Sequence, residues 1–275
     1  MFTLNCKGRL LTAKGPLVMG IINTTPDSFY AGSRSNAMDE LLARAEQMIA
    51  EGAALLDLGG QSTRPGSVMV GADEELSRVV PAIEAIHRRF PEQIISVDTF
   101  YASVARAAVA AGASIVNDVS AGTIDQELIP AVAEMQVPYV LMHMRGRPET
   151  MQEQPVYKDV TIEVFDFLSY KIAELTAAGI KDIIVDPGFG FGKTIAHNFE
   201  LLRKLSFLQQ LGRPVMVGLS RKGTVYKTLG ITPEEALNGS TVLHTMSLLN
   251  GAQILRVHDV LAATQAVRLF EAYGA

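Results

Sequence analysis

Eight short apolar runs, each ending abruptly in polar residues or glycine, recur along the chain at 17–23, 55–59, 94–98, 115–117, 139–142, 183–186, 215–218 and 254–257. Their hydrophobicity is nearly continuous, the pattern of parallel strands covered on both faces. Between them lie longer stretches with apolar residues at helical spacing, at 37–51, 74–90, 101–111 and 161–178. Each of these stops at Gly52, Pro91, Gly112 or Gly179, residues that terminate helices. Repeated strand-to-helix alternation implies right-handed crossovers and a parallel sheet. Eight such units favour a closed (β/α)8 barrel, the TIM-barrel form of the α/β class, over an open sheet. Residues 2–11 are expected to form a short β-hairpin closing the barrel's bottom. The 275 residues suit one such barrel, which commonly takes about 250. No low-complexity linker or composition break interrupts the chain, so 1–275 reads as one domain.

Composition narrows the partners. The formal net charge is −5 with both signs scattered, and no basic stripe is present to hold a phosphodiester backbone, so nucleic acid is not expected. Cys6 is the only cysteine, which excludes a disulfide framework within the chain and fits a reducing compartment. The N-terminal residues lack the apolar run of a secretory signal, and no stretch approaches the roughly 20 apolar residues that span a bilayer. The expectation is a soluble cytoplasmic protein with no membrane partner.

The residues just after each run are chemically loaded. Asn23 and TTPDSF succeed the first; GGQSTRPG belongs to the second; Asp98 ends the third. Asn117 and Asp118 stand at the fourth, Met142 and His143 at the fifth, Asp186 with PGFGFGK at the sixth, SRK at the seventh, and Arg256-Val257-His258-Asp259 at the eighth. In a barrel these positions converge on one mouth, where this fold places its active sites. Buried acids there need partners or a ligand.

The segments MGIINTTPDSF (19–29), GGQSTRPG (59–66), SVDTF (96–100), LMHMRGRPETMQ (141–152), DPGFGFGKTIAHN (186–198), VGLSRK (217–222) and RVHDV (256–260) closely resemble those of the dihydropteroate synthase family. The resemblance runs in order over essentially the whole chain, and TPDSF, DPGFGFGK, SRK and RVHDV together are highly specific. It implies condensation of (7,8-dihydropterin-6-yl)methyl diphosphate with p-aminobenzoate, giving 7,8-dihydropteroate and pyrophosphate by a dissociative route.

The resemblance assigns Asp98, Asn117, Asp186, Lys222 and Arg256 to the pterin. A buried carboxylate accepts two adjacent N–H donors of such a ring, an amide offers one donor and one acceptor, and lysine addresses the carbonyl side. It assigns Asn23, Arg256 and His258 to the pyrophosphate, and Asn23 to Mg²⁺, which binds few protein ligands and keeps waters and phosphate oxygens. With Lys222, these three are the implied catalytic residues. Arg256 and His258 lie two apart, so on an extended strand end they project to the same side; Asp259 is expected to cap the helix beyond it. For p-aminobenzoate the resemblance points to Thr63, Arg64 and Pro65, a wall of Phe191 and Lys222, and Gly223. DPGFGFGK lacks the P-loop lysine-serine spacing, and its glycines are read as permitting a tight turn and close ligand approach. Ser28, Ser62 and Ser220 are read as loop or hydrogen-bonding residues.

Three positions depart from the family pattern: Ala31 where an acid is usual, Gln61 where glutamate is common, and Gly223 where serine is common. Two other readings stand beside the main one. A methyltetrahydrofolate-binding methyltransferase module shares the barrel and pterin pocket but has no reason to keep a pyrophosphate subsite. A non-catalytic relative would retain pterin binding without turnover. By resemblance the chain is expected to form a homodimer, with the apolar stretch 237–273 as the surface.

Overall fold

A computed structural model describes residues 1–24, 34–61, 69–146 and 155–274. The first two strands, β1 (Phe2–Cys6) and β2 (Arg9–Ala13), form the expected antiparallel hairpin. Eight parallel strands come next: β3 (Leu17–Asn23), β4 (Leu55–Gly59), β5 (Ile94–Asp98), β6 (Ile115–Asp118), β7 (Tyr139–Met142), β8 (Ile183–Asp186), β9 (Met216–Val217) and β10 (Ile254–Val257). Their order is β8-β7-β6-β5-β4-β3-β10-β9. The ring is brought to closure by a single parallel bridge, Val185 to Val215, with Val185 N–H donating to the Pro214 carbonyl at 2.9 Å. The seventh strand is shorter than expected because the chain turns directly after Val217, reaching a left-handed φ of 52° at Arg221.

The described helices are α1 (Arg34–Ala50), α2 (Ala72–Arg89), α3 (Ala102–Ala111), α4 (Leu128–Met135), α5 (Val160–Ala177), α6 (Ile195–Arg203), α7 (Gly223–Leu229), α8 (Leu237–Leu249) and α9 (Val260–Gly274), with a 3₁₀ segment at Leu205–Leu211. Local chemistry sets their ends. In α2, Asp73, Glu74 and Glu75 occupy the first turn and His87, Arg88 and Arg89 the last, both complementing the helix dipole. Asp159 caps α5 by accepting from Thr161 and Ile162 N–H at 2.9 and 3.1 Å. Helix α3 stops at Gly112, whose φ of 125° excludes other side chains.

The barrel interior is layered. Met19, Leu55, Ile94, Ile115, Val140, Ile184, Met216 and Ile254, one from each barrel strand, form a buried apolar floor, and Leu4 and Cys6 of the hairpin pack beneath it. Burial pushes the Cys6 thiol up to about 12, so it behaves as an inert apolar filler. Outward residues of the same strands, among them Leu56, Val97, Leu141, Val185 and Leu255, pack against the helices in one continuous core. Because side chains alternate along a strand, the next inward set lies two residues further on. It reads Ile21, Asp57, Ser96, Asn117, Met142, Asp186, Gly218 and Arg256. The barrel is therefore apolar at its floor and charged one layer above. Among the described residues no helix is long and apolar enough to cross a membrane.

Candidate active site

Arg256, next to last in β10, organises the charged layer. Its Nε donates to Asp57 Oδ2 at 2.6 Å and its Nη2 to Asp98 Oδ2 at 2.5 Å. Asn117 Nδ2 donates to the same Asp57 oxygen at 3.0 Å, and Asp98 and Asn117 are register partners at the ends of β5 and β6. Burial opposes the guanidinium's charge, but Asp57 and Asp98 outweigh it and hold Arg256 protonated above its ordinary range. Burial pushes the Asp98 carboxyl up; Arg256 pulls it back, and Asp57 adds to the rise.

Asp186 ends β8 on the other side of the mouth. Burial raises its pKa against the opposing pull of Lys222, and Oδ1 accepts from Gly188 N–H at 2.7 Å. Burial brings Lys222 down to about 8, with Asp186 resisting. The Lys222 ammonium donates to the Phe189 carbonyl at 2.7 Å and sits 4.7 Å from the Phe191 ring centroid. Thus the structure gathers Asp98, Asn117, Asp186, Lys222 and Arg256 at one end of the barrel and sets Lys222 beside the Phe191 ring.

The glycine-rich segment after β8 does something other than expected. Gly188, Gly190 and Gly192 have φ of 70°, 82° and 63°, so the tight turn is real. The close approach, however, is to protein backbone: a Cβ at Gly188 would overlap the His143 carbonyl, and one at Gly192 the Arg145 carbonyl. The two loops press together around Lys193, which is 2% exposed. Its ammonium meets the carbonyls of Gly188 (2.9 Å) and Phe191 (3.1 Å) and Nδ1 of His143 (2.9 Å). Burial lowers Lys193 to about 7, and burial with Lys193 nearby holds His143 at about 2, a neutral ring that accepts through Nδ1.

His258 lies just beyond β10. Its Nδ1 is 3.1 Å from Ser220 Oγ, which also accepts from His258 N–H at 3.2 Å. Burial first, then Arg256, lowers the imidazole to about 4, which favours a neutral ring in this pocket. The proposed cap by Asp259 is corrected: its carboxylate is taken by Arg221 in a two-pronged pair at 2.8 and 2.9 Å. The first turn of α9 is served instead by Glu51, which accepts from Leu261 N–H at 3.2 Å. Asn23, the last residue of β3, is exposed at the mouth in register with Gly59.

A sequence profile of pterin binding enzymes matches residues 19–258. The dihydropteroate synthase of Escherichia coli strain K12 is 43% identical over 271 residues, covering 98% of this chain and 95% of its own. A dihydropteroate synthase from Xanthomonas albilineans, solved with 4-aminobenzoic acid, superposes with a TM-score of 0.92 at 44% identity, over 99% of this chain and 98% of that one. The same enzyme in complex with 7,8-dihydropteroate gives 0.90 at 42% identity over 100% and 99%. The chain belongs to the dihydropteroate synthase family.

Within this family member, Thr63, Arg64 and Pro65, with Ala31, Ser28 and Ser62, lie outside the described residues. The stem of their loop is described. Gln61 donates to Glu75 Oε2 at 2.8 Å and exchanges two bonds with Val70, at 2.8 and 3.0 Å. An amide at 61 thus donates to a buried carboxylate. Gly223 opens α7, and a Cβ there would meet only ordinary contacts at 3.7 Å.

The residues that sequence reasoning missed are Asp57 and Lys193. Asp57 lies inside its apolar run instead of after it; an acid in the middle of LLDLG was the available signal. Lys193 was hidden as the last residue of a glycine-rich loop.

Proposed function

We propose that the protein condenses (7,8-dihydropterin-6-yl)methyl diphosphate with p-aminobenzoate to give 7,8-dihydropteroate and pyrophosphate. The observation that carries this reading is the convergence of two buried acids, an amide, a lysine and an arginine on one barrel mouth. A ring with several adjacent N–H donors and a carbonyl suits that set: Asp98 and Asp186 accept, Asn117 does both, and Lys222 donates.

In the reaction the bond between the pterin's methylene carbon and the diphosphate oxygen breaks, and its electron pair leaves with pyrophosphate. The methylene cation is stabilised by the ring, and the neutral arylamine lone pair then forms the C–N bond and releases a proton. An aniline is nucleophilic while neutral, so no strong base is required. Arg256 and His258 serve the departing diphosphate. In the tautomer where Nδ1 accepts from the Ser220 hydroxyl at 3.1 Å, the imidazole carries its hydrogen on Nε2 and donates as a neutral group. Catalysis comes from ordering two substrates and stabilising charge on the leaving group.

Among the described residues no three His, Cys, Asp or Glu side chains converge to hold a metal. Asn23 alone, exposed at the mouth, fits Mg²⁺ only as an ion delivered with the diphosphate, which supplies the remaining oxygens. When bound, Mg²⁺ would neutralise charge on the leaving group. Phe191 with Lys222, the Gly223 N–H, and the loop carrying Thr63, Arg64 and Pro65 are proposed to take p-aminobenzoate.

We also infer a homodimer. Leu237, Val242, Met246 and Leu249 leave an exposed apolar strip along α8, and Leu269 and Tyr273 are exposed on α9; sedimentation of a single monomeric species would contradict it. The single buried cysteine suits the reducing cytoplasm. The reaction is tested by following pyrophosphate release. Release coupled to dihydropteroate formation, and dependent on Mg²⁺, is expected when both substrates are present; no dihydropteroate with all three present would refute the assignment.

A further inference from the structure

The molecule holds one acid at its charged centre to which neither the resemblance nor the proposed chemistry gives a task. Asp57 is fully buried, one layer below the mouth, between Ile21 and Ser96 in the sheet register. One of its oxygens, Oδ2, receives both Arg256 Nε at 2.6 Å and Asn117 Nδ2 at 3.0 Å. The other, Oδ1, is buried with no partner among the described residues. A buried carboxylate is retained at such a place only if its bonds are worth the desolvation it suffers.

Geometry separates the two acids that share Arg256. Asp98 stands at the end of its strand and is bonded by the terminal nitrogen Nη2, the part of the guanidinium that moves most when the side chain rotates. Asp57 is bonded by Nε, the nitrogen nearest the stem. Arg256 occupies one Asp98 oxygen, Oδ2, and for Asp98 to offer both oxygens to a ligand's adjacent N–H donors, as the proposed function requires, Nη2 gives way. The Nε bond to Asp57 is the one that can persist while it does. The same Asp57 oxygen fixes the direction of the Asn117 amide, leaving its carbonyl oxygen for a ligand's donor.

We propose that Asp57 is a positioning residue for the reaction: its buried carboxylate is the pivot that aims Arg256 and Asn117 together, and so links seating of the pterin to binding of the diphosphate. This rests on the functional reading above. A substrate of the expected chemistry displaces Arg256 from Asp98 while Asp57 retains it. The guanidinium's remaining donors are then free for phosphate oxygens. Loss of Asp57 would release both side chains at once, although neither would have been altered.

The test is Asp57→Asn, an isosteric change, measured against wild type by calorimetric titration with pyrophosphate plus Mg²⁺ and with a 6-hydroxymethyl pterin, and by steady-state kinetics. A charge-assisted bond is lost, so pterin and pyrophosphate affinities are each expected to fall by about tenfold or more, while KM for p-aminobenzoate stays unchanged. In an Arg256→Lys background the same substitution should cost much less, since the two act through one contact. Equal losses in both backgrounds, or unchanged affinity for both ligands, would overturn the role of Asp57. If the amide variant does not fold, Asp57→Glu keeps the charge but displaces it by one methylene, and the same selective loss is expected; unchanged affinity there overturns it too. Wild-type protein that binds neither ligand would instead contradict the functional reading itself.

Discussion

The floor of the barrel and the layer above it are built from the same strands and differ by a shift of two residues. At the floor all eight inward side chains are apolar, and the hairpin's Leu4 and Cys6 complete the buried apolar cluster. One layer up, the inward set includes Asp57, Asn117, Asp186 and Arg256, and every one is tied to at least one charged neighbour or hydrogen-bond partner. The floor holds the barrel together by burying apolar surface, which needs no particular geometry beyond good packing. The upper layer carries charges that must compensate one another in a buried setting, and it is therefore where a ligand can exchange places with an internal partner.

This contrast can be broken most severely at Arg256. Arg256→Ala leaves Asp57 and Asp98 buried without their cation, an imbalance expected to cost about 3–5 kcal/mol of stability and to abolish turnover. Denaturant unfolding and a pyrophosphate-release assay read the two losses. Leu4→Ala at the floor should cost about 2–5 kcal/mol by leaving a cavity, with kcat/KM for both substrates unchanged. A floor substitution that lowered activity while leaving the unfolding midpoint in place would show that the two layers are not separate in function.

The pH dependence sharpens the comparison, because only the upper layer titrates. For pterin binding Asp98 and Asp186 must be ionised, and burial raises both above the ordinary carboxylate range. The acid limb of kcat/KM for the pterin diphosphate should therefore lie above the about 4 of a free carboxylate. Lys222 must be protonated, and burial has brought it down to about 8, so activity should fall as pH rises through that value. Lys222→Arg keeps its charge at high pH and should move the alkaline limb upward; a limb that stays in place would remove Lys222 from the site. The smallest change concerns the arylamine. A Cβ at Gly223 fits at ordinary contact distance, so Gly223→Ser should be tolerated and lower KM for p-aminobenzoate by about one hydrogen bond, or about 0.5–1.5 kcal/mol. An increased KM would place the carboxylate elsewhere.

Strand positions were legible in the sequence because polar residues cut off each apolar run, and β3, β4, β5, β7, β8 and β10 have the expected bounds. Helices α4, α6 and α7 were not read, being too short for a repeating apolar face to stand out from the loops around them, and α8 and α9 were read only as one apolar stretch, 237–273, without helix bounds. Inside the barrel the difficulty is different. A strand apolar on both faces shows no alternation, so the run itself does not say which residues point inward. Acids at the ends of strands, such as Asp98 and Asp186, were visible, whereas Asp57 within a strand became meaningful only once the fold brought Arg256 to it across the barrel. Lys193 escaped for a similar reason: its main-chain and imidazole acceptors come from two different loops. The charge of His258 and the partner of Asp259 depend on burial and on Arg221, neither of which a linear motif records.

The charged layer is either a ligand's binding surface or merely a set of internal ion pairs. A crystal structure of the protein with a 6-hydroxymethyl pterin and pyrophosphate decides this. The pterin ring is expected within hydrogen-bond distance of Asp98, Asn117, Asp186 and Lys222, with Arg256 released from Asp98 and turned toward the phosphates. A ring bound away from those four side chains, with the Arg256–Asp98 pair still in place, would contradict it.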